Sequence, residues 1–173
     1  AYPDVYAAAG VHSGLPSGAA SSVAEALMVM KNGGANGARG AAGHGGRGVK
    51  PLVQQAVPTI VFHGDQDPTV HPSNGEQVLG AVLASPTGNS GTAPDTARIA
   101  KVEQGVSQYG RHFTRTTYCD DSGTPLAEHW ALHGAGHAWS GGMASGSYTD
   151  AKGPDATREM IRFFFSLPRR QTH

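Results

Sequence analysis

Apolar residues along the chain fall into short runs, each closed by a polar or glycine-rich turn, and the spacing inside each run predicts its element. Residues 5–12 (V-Y-A-A-A-G-V-H) stay apolar until Ser13-Gly14-Leu15-Pro16 closes them, the pattern of a strand buried on both faces. Ser22-Val23-Ala24-Glu25 fits a capping box ahead of Leu27, Met28 and Met30, which predicts a helix over 22–31 that Asn32-Gly33-Gly34 ends. Residues 57–62 (V-P-T-I-V-F) are β-branched and apolar up to His63-Gly64 and give the clearest strand. A second capping box, Ser73 to Glu76, precedes Val78, Leu79, Val82 and Leu83 at helical spacing. Segments 112–120 and 126–133 flank Asp121-Ser122-Gly123-Thr124-Pro125 and read as a hairpin. Asp155 is the cap of a last helix carrying Met160, Ile161, Phe163 and Phe164 and ending by Pro168. Residues 33–48 and 85–97 lack large apolar side chains, so they read as loops, the first of them mobile and on the surface.

Composition sharpens this α/β pattern by exclusion. A chain of 173 residues suffices for one domain with a core, and 25 Gly with 11 Pro leave room for many loops. Thirteen basic and thirteen acidic residues cancel, so charge gives no reason to expect nucleic acid or an anionic membrane as partner. No apolar run approaches the ~20 residues of a membrane helix, and the first residues carry no export signal. The lone Cys119 rules out a disulfide within these residues.

Two polar loops hold the candidate chemistry: His63-Gly64-Asp65-Gln66-Asp67 after one predicted strand, and Gly134-Ala135-Gly136-His137-Ala138-Trp139 after another. Open α/β sheets bind ligands at the carboxyl ends of their strands, and both loops sit there. Asp67 is positioned to hold an imidazole through its Nδ1 proton, and His137 to act as base and then acid. Each also has a plain structural role open to it: Asp67 precedes Pro68 and suits a turn, while His137 can be satisfied by backbone in a glycine-rich loop. Trp139 is either a core aromatic or a wall of the substrate pocket. Carboxylate before histidine is the order of hydrolases whose serine lies upstream, yet no G-x-S-x-G elbow is present. Ser13 does not qualify, because Val11 and Leu15 stand where the elbow needs glycines. His63, Asp65, Asp67 and His71 offer a metal-binding alternative, without any established ligand spacing behind it.

Several stretches together resemble one family. Y-P-D-V-Y-A-A-A-G-V-H-S-G-L-P (2–16), P-T-I-V-F-H-G-D-Q-D-P-T-V-H-P-S-N (58–74), H-G-A-G-H-A-W-S-G-G (133–142) and G-S-Y-T-D-A-K-G-P-D-A-T-R-E-M-I-R-F-F (146–164) are similar to the polyhydroxybutyrate depolymerase family of esterases, a group that includes feruloyl and acetylxylan esterases. The resemblance implies an α/β-hydrolase fold with a doubly wound, mostly parallel sheet, of which residues 1–173 form the C-terminal part of a single catalytic domain. It makes Asp67 the triad acid and His137 the triad histidine. It also puts the nucleophilic serine before Ala1, so the expected partners are an ester substrate and a complementing N-terminal segment carrying that serine. Secretion follows by the same analogy, and Cys119 would find any partner only in the absent segment.

The leading expectation is a serine esterase acting on a polyester or acylated carbohydrate, with no metal or organic cofactor. The alternatives are a non-catalytic domain that binds apolar surfaces through Trp139 and Trp130, and a metallohydrolase built on the His63 to His71 cluster.

Overall fold

The computed structural model describes residues 5–33, 57–84 and 98–168. The loop expected at 33–48 lies almost wholly outside the described residues, and that at 85–97 entirely so. Among these residues seven strands and three helices follow in order: β1 (Ala9–His12), α1 (Val23–Asn32), β2 (Thr59–Gly64), α2 (Ser73–Leu83), β3 (Arg98–Val106), β4 (His112–Cys119), β5 (Pro125–Leu132), β6 (Trp139–Ser140), β7 (Thr149–Asp150) and α3 (Ala156–Ser166). Five strands form one sheet in the order β1-β2-β5-β4-β3, and β6 pairs with β7 in a separate ribbon.

The sheet is mixed. β1, β2 and β5 run parallel, whereas β4 pairs antiparallel with β5 and β3 with β4. The expected mostly parallel character therefore holds only on the β1 side. A tight turn imposes the change of direction: Asp120 Oδ1 accepts from Ser122 N–H and Thr124 N–H, and Gly123 takes φ +83°, so β4 must return alongside β5. The strand β3 had no counterpart among the predicted elements, although the run Val102-Glu103-Gln104-Gly105-Val106 within it is apolar at its ends and polar between.

Helices cover opposite faces where the sheet is parallel. Ile60, Phe62, Trp130 and Leu132 pack with Ala156, Met160 and Phe163 of α3 in one buried cluster. The residues between them in β2 face α2, whose Gly75 lies against the His63 ring. All six residues of β2 are buried, as a central parallel strand requires, and this explains its unbroken apolar run. Trp130 is 3% exposed, so the surface-binding role considered for it does not hold.

Helix ends follow the sequence signals unevenly. Ser22 caps α1 by accepting from Glu25 N–H, but the Glu25 carboxylate turns to Ser21 rather than closing the box on Ser22. Asp155 caps α3 as expected, accepting from Arg158 N–H. The second capping box does not form: Ser73 is already inside α2, and its hydroxyl meets His71 Nδ1 at 2.9 Å. Pro72 occupies the cap position instead.

Candidate active site

The site is built at the carboxyl ends of β1, β2 and β5. β2 ends at Gly64, where a Cβ would come within 2.3 Å of the Ala135 carbonyl oxygen, so only glycine lets the two key loops touch. Asp65 N–H and Gln66 N–H donate across to Leu132 and Ala135 carbonyls, which knits the loops together.

Across this junction Asp67 Oδ2 meets His137 Nδ1 at 2.8 Å. The other carboxylate oxygen, Oδ1, accepts from Thr69 N–H at 2.9 Å and Val70 N–H at 2.8 Å. The turn role and the imidazole-holding role thus coexist in one side chain, one oxygen each. Burial pushes the Asp67 carboxyl pKa up, but the hydrogen bonds from Val70, His137 and Thr69 together outweigh it and hold the group below its ordinary value. Ionised Asp67 fixes the His137 proton on Nδ1, leaving Nε2 as an acceptor. The His137 side chain is 38% exposed while that of Asp67 is fully buried, so the imidazole bridges buried charge and open cavity.

A cavity of about 250 Å³ opens beside this imidazole, lined by His12, Ser13, His137, Ala138, Trp139 and Tyr148. Trp139 is half-exposed and stacks on His12 at 4.9 Å, its Nε1–H donating to Thr157 Oγ1 at 3.2 Å. It forms a wall of this cavity. His12, Ser13 and Tyr148 were not among the residues expected at the site. The strand-end rule that selected the other loops applies equally to His12 and Ser13, which end β1. Ser13 adopts φ +49°, and its buried hydroxyl has no hydrogen-bond partner among the described residues. It makes no hydrogen bond to His137, as an activated nucleophile would.

The metal-ligand cluster considered from sequence is dispersed. His63 Nε2–H donates to the Val70 carbonyl at 2.8 Å, His71 turns to Ser73, and Asp65 pairs with His133. Among the described residues no group of three His, Cys, Asp or Glu side chains is placed to hold a metal ion. Cys119 is a half-buried free thiol whose pKa is raised by burial and then by Asp120 and Glu128. No helix among the described residues is long and apolar enough to cross a membrane.

Strand-end loops carrying an imidazole backed by a buried carboxylate provide acid–base apparatus of the kind hydrolases use. The family model described as Esterase PHB depolymerase matches residues 1–100, more than half of the chain, and the protein belongs to that esterase family. The matched stretch includes Asp67 but ends before His137. No curated protein matches the chain.

Proposed function

We propose that this chain supplies the acid–base half of a serine carboxylesterase that cleaves ester bonds of a polyester or an acylated carbohydrate. The single observation that carries the reading is the 2.8 Å contact between His137 Nδ1 and buried Asp67 Oδ2, beside a cavity large enough for an ester group. In acylation His137 Nε2 takes the proton of the nucleophilic serine as its oxygen bonds to the ester carbonyl carbon. The imidazolium, stabilised by Asp67, then gives that proton to the departing alcohol. Water repeats the sequence on the acyl-enzyme and releases the acid. No metal or organic cofactor enters these steps. Trp139 provides apolar surface for the substrate.

The serine comes from a segment outside residues 1–173, which adds a parallel strand beside β1 and completes a doubly wound α/β-hydrolase domain. Three features support this. β1 ends the sheet order and is paired on one side only among the described residues, so its outer backbone groups are open to another strand. Val5 and Tyr6 before it are more than half exposed. Helix α1 buries none of its residues, and Leu27 and Met28 face outward. Action on a polymer favours a secreted enzyme.

Labelling the native material with a fluorophosphonate, followed by peptide mapping, tests the reading. The expected label falls on a serine outside residues 1–173 and disappears in His137→Ala. A label on Ser13 would overturn the divided site, and no label at all would overturn the esterase reading.

A further inference from the structure

Beyond the carboxylate and imidazole already described, one more side chain organises the cavity. His12 accepts a hydrogen bond at Nε2 from Ser140 N–H at 2.9 Å. An N–H donor at that nitrogen requires the His12 proton to sit on Nδ1. The ring lies between two aromatic neighbours, nearly parallel to Phe62 at 5.8 Å and stacked on Trp139 at 4.9 Å. One imidazole therefore connects the end of β1, the core residue of β2 and the short strand that follows His137. Ser140 is fully buried, and its hydroxyl donates to the Pro154 carbonyl, so this anchor also reaches the cap of α3.

We propose that His12 is a positioning residue of this esterase site, a neutral imidazole that holds the His137–Trp139 loop in place and sets the substrate wall. The inference rests on the function proposed above. His137 lies three residues from the anchored Ser140 and has no other tie to β1 in the described hydrogen bonds. A shift of the loop by about 1 Å would move Nε2 of His137 away from the reacting oxygen, at a cost on the order of 100-fold in rate. Neutrality is essential, because a protonated His12 would present an N–H to the Ser140 N–H and break the anchor. The surroundings enforce it: burial, then the imidazoles of His63 on β2 and His137, lower its pKa to about 4 against the opposing pull of Asp67.

Two variants separate the hydrogen bond from the stack. His12→Phe keeps an aromatic ring but leaves Ser140 N–H buried without an acceptor; in His12→Gln the amide oxygen reaches about as far as Nε2 and restores the acceptor without the ring. Assayed on a p-nitrophenyl ester in the enzyme complete with its nucleophile, His12→Phe is expected to lower kcat on the order of 10- to 100-fold. His12→Gln should recover kcat to within about threefold while KM stays raised, since the support under Trp139 is gone. Long-range ¹H–¹⁵N NMR should find the wild-type ring neutral, protonated at Nδ1, down to about pH 4. A His12→Phe enzyme with wild-type kcat, equal losses of kcat and Tm in both variants, or a proton on Nε2 would overturn the inference. Activity that survives His137→Ala would instead remove the underlying reading of the site, whichever way the His12 variants behave.

Discussion

The two strand-end loops carry two carboxylate–imidazole pairs with nearly the same contact geometry. His137 Nδ1 lies 2.8 Å from Asp67 Oδ2, and His133 Nδ1 lies 2.9 Å from Asp65 Oδ2. Both carboxylates also accept backbone N–H groups. What separates the pairs is solvent and the far ring nitrogen. Asp67 is fully buried, whereas the side chains of Asp65 and His133 are 42% and 44% exposed. His133 Nε2 is already engaged by Thr114 Oγ1, while Nε2 of His137 stands at the cavity. Water screens the outer pair and leaves it a staple between β5 and β2; low dielectric strengthens the inner one, the pair to which the proposed function assigns proton transfer.

The sharpest break of this comparison is Asp67→Asn set against Asp65→Asn. Losing the inner carboxylate should reduce kcat about 10³- to 10⁴-fold, because the His137 tautomer and its imidazolium lose their partner. Asp65→Asn should stay within about threefold of wild type in the same ester assay, an effect of the size expected for a screened surface pair. Comparable losses in both variants would show that exposure does not divide their roles.

A structural version of the test uses the shell behind Asp67. His63 Nε2 approaches Asp67 Oδ2 at 3.6 Å while bonded to Val70, and a Cβ on Gly75 would come within 2.7 Å of His63 Nδ1. Gly75→Ala must displace the ring or the helix, so urea unfolding should report a loss of about 1–3 kcal/mol. An unchanged midpoint would mean that α2 yields without cost.

Two shifted groups on the inner side of this comparison, His12 and Asp67, give the site a pH response. The folded-state pKa of His12 is lowered to about 4, so the unfolded chain takes up its proton first as pH falls below about 6.5. Stability is therefore highest above that value and declines as pH drops toward about 4. Asp67, whose folded pKa is also lowered, adds a further loss below its ordinary value of 3.8. His12→Gln should make the first decline shallower, the remainder coming from His129, whose pKa burial also lowers, and leave the second unchanged; chemical denaturation across this range measures both. The smallest effect belongs to the outer pair, for which a double-mutant cycle on Asp65 and His133 should return about 0.2–1 kcal/mol and shrink in high salt.

Much of the candidate site was legible before any fold was known. The loops containing Asp67 and His137 follow strands that announce themselves by apolar runs, and the strand-end rule then singles out their polar residues. The same rule, carried to β1, would have reached His12. Tyr148 left no such trace, since it joins the cavity through the two-residue ribbon of β6 and β7, too short to print a pattern. The capping motif at Ser73 misled because His71, two residues earlier, competes for its hydroxyl.

By itself the sequence determined where β1, β2, the β4–β5 hairpin and the three helices form, since periodicity and caps are local. It also determined membership of the esterase family and the order of carboxylate before histidine. The family resemblance pointed to Asp67 with His137; the contact each carboxylate makes, and how deeply each is buried, belong to the tertiary structure. Asp65 and Asp67 lie only two residues apart, yet Asp65 meets the exposed His133 while Asp67 is buried against His137, beside the close approach of Gly64 to Ala135. Burial is a property of contacts between distant segments, and it is burial that turns one of two like pairs into a candidate for catalysis.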